Sequence, residues 1–110
     1  MVFKTSIEFS QTASTNIKKA LSYISDTLSN PGAASRLGKL IENKINIIKS
    51  FPESCPVIQN ESIKNVEVRK ATIDSYVLYY TINRSDNSIY VINFVHGRQS
   101  LEELIILINN

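Results

Sequence analysis

Three runs decide the fold: Val66-Glu67-Val68-Arg69-Lys70-Ala71, Tyr76-Val77-Leu78-Tyr79-Tyr80-Thr81-Ile82-Asn83 and Ile89-Tyr90-Val91-Ile92-Asn93-Phe94-Val95. The first changes the sequence period to two, and the later two are dense in the β-branched and aromatic residues that suit a pleated surface. A turn near Asp74-Ser75 and the polar loop Arg84-Ser85-Asp86-Asn87-Ser88 separate them. Connections that short join antiparallel neighbours, so the three runs read as a meander.

Upstream the period is different. Residues 2–9 alternate, with Phe3, Thr5, Ile7 and Phe9 set against Val2, Lys4, Ser6 and Glu8, and predict an N-terminal strand. Ser10 and Thr12 then offer caps for a helix reaching Leu28, with Ile17, Leu21, Ile24 and Leu28 on one stripe. Asn30-Pro31 suits the cap and first residue of a second helix. That helix carries Ala34, Leu37, Ile41, Ile45 and Ile48 on one face and ends before Phe51-Pro52. Two amphipathic helices joined by so short a turn predict an antiparallel helical hairpin. Residues 51–65 read as loop, and Ser100 with Glu103 has the spacing of a capping box opening a short C-terminal helix. The expected architecture is α+β, a mainly antiparallel sheet with the hairpin over one face, in a single domain spanning 1–110.

Composition narrows the function classes. The chain's 43% hydrophobic and 20% charged content excludes wholesale disorder. Its formal net charge of +2 excludes a strongly cationic coat on nucleic acid. One cysteine, Cys55, and one histidine, His96, exclude an internal disulfide and a Cys- or His-rich metal site. No apolar run approaches the ~18 residues of a membrane span, and the alternating N-terminus lacks a signal-peptide core. A cytoplasmic protein with no membrane association and no cofactor is expected.

Few residues could carry chemistry. Three glycines leave no phosphate-cradling loop and no nucleophile elbow. His96 and Arg98, two apart, share a side of the last strand, where the cation would keep the imidazole neutral and could itself pair with a phosphate or carboxylate. The plainer reading has Gly97 making the turn while both side chains bond to neighbours, and it is preferred on residues alone. Arg69 has an equally plain alternative, pairing with an acid beside or across from it. Tyr76, Tyr79, Tyr80 and Tyr90 read mainly as strand packing, and the lysines at 18, 19, 39, 44 and 49 as solvated helix faces.

Four stretches, in this order, resemble the RelE/ParE superfamily of toxins from bacterial type II toxin–antitoxin systems. They are Ile7-Glu8-Phe9-Ser10 with Ala20-Leu21-Ser22-Tyr23-Ile24; Asn30-Pro31-Gly32-Ala33-Ala34 with Ile41 to Ser50 and Phe51-Pro52-Glu53-Ser54; Val68-Arg69-Lys70 with Tyr76 to Ile82; and Ile89 to Ile92 through His96-Gly97-Arg98 with Leu101-Glu102-Glu103-Leu104. The resemblance implies the RelE/ParE-like fold, an antitoxin from the same operon forming a hetero-oligomer with this chain, and a role in plasmid stabilization and growth inhibition. It implies one of two targets. A ParE-like toxin inhibits DNA gyrase without catalysis. A RelE-like one is a metal-independent endoribonuclease cutting mRNA on the ribosome, with His96 moving the proton and Arg69 and Arg98 neutralising the phosphate. A non-toxic binding module of the same fold is the third possibility. The ParE-like reading is preferred, because residues 99–110 contain no aromatic, histidine or basic side chain and ribosome binding calls for a more basic protein. Arg69, Tyr80, Arg84 and Arg98 are the expected contacts for antitoxin or target.

Overall fold

In the computed structural model, which describes residues 5–63, 66–97 and 101–109, strand β1 (Ser6–Phe9) leads into helix α1 (Gln11–Ser22). A π-helical turn (Tyr23–Thr27) and helix α2 (Pro31–Ser50) complete the hairpin. Strands β2 (Val68–Ile73), β3 (Tyr76–Asn83) and β4 (Ser88–His96) form the meander, and helix α3 (Leu101–Asn109) follows. The sheet order is β1-β4-β3-β2, with β1 parallel to β4 and the other pairs antiparallel.

Both helix starts form as the residue types dictate. The Ser10 hydroxyl accepts from the Ala13 amide at 2.9 Å, and the Asn30 side chain accepts from the Ala33 amide at 3.0 Å, with Pro31 at the first helical position. Leu37, Ile41 and Ile48 are buried against Ala71, Ile73, Leu78, Tyr80, Ile89, Val91 and Phe94 of the sheet. The α1 stripe holds through Ile24 but fails at Leu28, which is 54% exposed. The π turn explains the difference: its wider i→i+5 bonding, seen in Leu28 N–H to the Tyr23 carbonyl at 3.0 Å, rotates the following residues off the helical stripe.

The second face of the sheet is covered as well. Val68, Val77, Tyr79, Ile92 and Val95 form a smaller core with Leu104 of α3, flanked by Ile58, Ile63 and Ile108. Two covered faces give β4 five consecutive buried residues from Val91 to Val95, so its sequence shows no alternation there. A β-bulge sits in this run, because Tyr79 pairs with Asn93 while Tyr80 pairs with Val91. Ile92 is the extra residue, and beyond it even-numbered Phe94 joins odd-numbered Ile89 and Val91 in the main core. The Ser10 hydroxyl donates to the Ile92 carbonyl at 2.6 Å, and Asn16 of α1 donates to the buried Asn93 side chain at 2.8 Å. The bulge is thus the seat of α1. The C-terminal helix forms where expected, while its capping residue Ser100 lies outside the described residues. No described helix is long and apolar enough to cross a membrane.

Candidate functional site

Helix α2 ends where Pro52 makes further helix impossible, and the Phe51 amide closes the last turn on the Ile47 carbonyl at 2.7 Å. The loop that follows is pinned to the sheet. The buried Tyr80 hydroxyl donates to the Pro52 carbonyl at 2.6 Å. Arg69 sits directly across from Tyr80 in the β2–β3 register, so it faces the same loop. Its Nη1 donates to the Glu53 carbonyl at 3.1 Å and the Cys55 carbonyl at 2.6 Å, while its Nε and Nη2 both reach the Glu67 carboxylate. Residues 56–58 then lie against β2, with Ile58 N–H on the Val68 carbonyl at 2.8 Å and Lys70 N–H on the Pro56 carbonyl at 3.0 Å.

A second arginine joins from the end of β3. Arg84 Nη1 donates to Glu53 at 2.6 Å, and Nη2 to Glu67 at 3.0 Å. Glu67 therefore serves both guanidinium groups, and its carboxyl is held below the usual value of 4.5, first by Arg69 and then by Arg84. Glu53, followed by Glu67, raises Arg84 above its ordinary value. Burial, reinforced by the neighbouring Cys55 side chain, raises the Tyr80 phenol well above 10. The two arginines differ in what they contribute. Arg69 is buried, with two donors on loop carbonyls and two on Glu67, so its pair with Glu67 is structural. Arg84 and Glu53 are 56% and 63% exposed, the range in which ion pairs add little stability.

Beside this network opens a cleft of about 710 Å³, lined by Ser50, Phe51, Pro52, Glu53, Ser54, Ile82, Arg84 and Asn87. Phe51, at its edge, is 67% exposed.

The structure brings together Arg69, Tyr80 and Arg84 and places His96 elsewhere. His96 pairs with Tyr76 and meets its ring edge-on at 5.5 Å, and Tyr76 stacks on Phe94 at 5.0 Å. Tyr76 and Tyr80 are four residues apart on β3, and β2 lies two strands from β4. At ~3.3 Å per residue and ~4.8 Å per strand, His96 and Arg69 are roughly 16 Å apart. Proton transfer needs a group within about 3 Å of the reacting atom, so these two side chains do not meet over one phosphate. Arg98 lies outside the described residues. Among the described residues no three His, Cys, Asp or Glu side chains converge as a metal ion would need.

Residues 7–101 match the family model described as the ParE toxin of type II toxin–antitoxin systems. The chain belongs to the ParE toxin family. Its fold is also that of three solved toxin–antitoxin complexes. The chromosomal ParDE system of P. aeruginosa matches at 12% identity and TM-score 0.66, over 84% of this chain and 96% of that one. The archaeal RelE–RelB complex of Pyrococcus horikoshii OT3 matches at 15% identity and TM-score 0.59, over 89% and 100%. RelBE2 of Mycobacterium tuberculosis matches at 14% and 0.58, over 86% and 99%. No curated protein matches by sequence.

In this toxin-family chain, sequence reasoning missed Glu53 and Phe51 as members of the site, while the pairing of Arg69 with an acid beside it is met by Glu67. Glu67 had a signal, since an acid two residues from Arg69 on a strand shares its face. Glu53 had none, because 31 residues separate it from Arg84 and only the folded loop joins them.

Proposed function

We propose that this chain is the toxin of a type II toxin–antitoxin pair, is neutralised in the cytoplasm by an antitoxin from the same operon, and acts by binding DNA gyrase rather than by cutting RNA. The observation that carries the non-catalytic reading is the state of Arg69. Its guanidinium is occupied by one carboxylate and two carbonyls, and His96 stands far from it. A group already neutralised and buried has little left to offer a phosphate whose charge grows in a transition state. The match of residues 7–101 to the ParE toxin model supports the same choice.

An antitoxin partner is supported by apolar surface on the hairpin. Leu40 and Ile47 are exposed along α2, Phe51 just past its end, and Tyr23 and Leu28 at the tip of the hairpin. On a 100°-per-residue wheel, the α2 residues form a stripe roughly a quarter turn from the buried Leu37, Ile41 and Ile48. Apolar residues clustered this way favour a bound partner.

The test is inducible expression without antitoxin, with separate labelling of DNA and protein synthesis, and a supercoiling assay on purified protein. Early loss of DNA synthesis, and gyrase trapped on cleaved DNA without ribosomes, is the expected result. Early loss of translation with messenger cut at the ribosomal A site would replace it with the ribonuclease. No growth effect would leave a binding module.

A further inference from the structure

We infer that the cleft between Phe51, Ile82 and Arg84 is a docking site for an acidic, apolar segment of the antitoxin, with Arg84 taking its carboxylate. The inference rests on the toxin–antitoxin reading and adds where and by what chemistry the partner is held. At about 710 Å³ the cleft lies within the roughly 300–1,000 Å³ of sites that hold small ligands or a few side chains. Phe51, Pro52 and Ile82 give it apolar walls, and Ser50, Ser54, Asn87 and the paired Arg84 and Glu53 a polar rim.

Charge decides the partner's sign. A guanidinium has five N–H donors in a planar fork. Arg84 uses Nη1 on Glu53 and Nη2 on Glu67, and among the described residues its Nε–H is unused. The fork can thus receive a further carboxylate. The two local acids are already committed, Glu67 to both arginines and Glu53 to Arg84. The hairpin behind the rim is basic: residues 11–50 carry six Lys/Arg against two Asp/Glu. Lys49 stands in the last turn of α2, beside Ser50 and Phe51. An acidic segment is attracted by this field and a basic one repelled. The exposed Arg84–Glu53 pair is the exchangeable part of the network, while Arg69–Glu67 stays in place to hold the wall.

Two full-length variants test this, each measured with the antitoxin encoded beside the toxin. Arg84→Gln removes the anchor and leaves Glu67 on Arg69. Ser50→Trp fills the cleft from an exposed helix position without touching any ion pair. Each should weaken binding tenfold or more at unchanged melting temperature, and the loss from Arg84→Gln should shrink as salt rises. Wild-type binding with both variants within twofold of it overturns the docking site and leaves the toxin–antitoxin reading standing. No wild-type binding overturns that reading itself, and this inference with it. Self-association of the toxin alone that Ser50→Trp abolishes would give the cleft to a second copy and overturn the assignment.

Discussion

Arg69 and Arg84 share the Glu67 carboxylate, yet they have different consequences. Arg69 supplies donors to two carbonyls and one carboxylate from a buried position, a planar arrangement that a lysine ammonium cannot reproduce. Arg69→Lys should cost about 2–4 kcal/mol, the range for breaking a buried charged network. On a domain of this size that lowers the melting temperature by on the order of 10 °C. Arg84→Gln should leave it unchanged, and thermal melts of the two variants check the contrast. Glu67 sets the acid limit. Its folded value lies below 4.5, so its contribution is complete above pH 4.5 and is lost as pH falls through the depressed value. Melting temperatures from pH 7 to 3 should show Glu67→Gln less stable at neutral pH, with the gap closing below pH 4.5. Tyr80 acts at the other end, because its raised value makes the neutral phenol the stable form. That stability is present below pH 10 and lost as pH rises above it. Of these residues the sequence identified Arg69, Tyr80 and Arg84 as important. It could not show that a carbonyl of Pro52 or a carboxylate of Glu53 awaited them, because no spacing rule links a strand to a loop.

Periodicity served well for elements with one covered face. Helix α2 and its Asn30-Pro31 start lie where the residue pattern puts them. Strand β3, buried on both faces from Val77 to Tyr80, is legible instead from its β-branched and aromatic content. Periodicity failed where local geometry inserts a residue. The stripe Ile17, Leu21, Ile24, Leu28 assumes 3.6 residues per turn to its end, and the π turn breaks that assumption after Ile24. In β4 the bulge at Ile92 reverses which parity faces the hairpin, and burial on both faces removes the alternation that would reveal it. The two kinds of helical residue should separate by substitution. Leu28→Ser should change stability by no more than about 0.5 kcal/mol, as at other exposed sites. Ile48→Ala, at a wholly buried position on the sheet side of α2, should cost about 2–5 kcal/mol from lost burial and the cavity left behind. Denaturant unfolding of both variants is the check.

Across the chain as a whole, residue pattern gave the order of elements and the α+β class, but not the partner of β1. Its alternation says that one face is buried and nothing about which strand it joins. The structure sets it parallel to β4, with Ser6 across from Ser88 and Phe9 from Val91. Pairing over 82 residues is slow to find, since the loop-closure entropy comes before any contact offsets it. Refolding followed by stopped-flow should accordingly take roughly milliseconds to a second, not the microseconds of a helical bundle. The same pairing has a meaning during synthesis. Strand β1 is made well ahead of its partner β4, and at about 5–20 residues per second the wait is on the order of 4–16 s. Throughout it the sheet lacks an edge, the Ser10 hydroxyl lacks the Ile92 carbonyl, and α1 has no seat. A nascent chain that has not reached β4 therefore lacks the folded toxin, which exists only once that strand has been made.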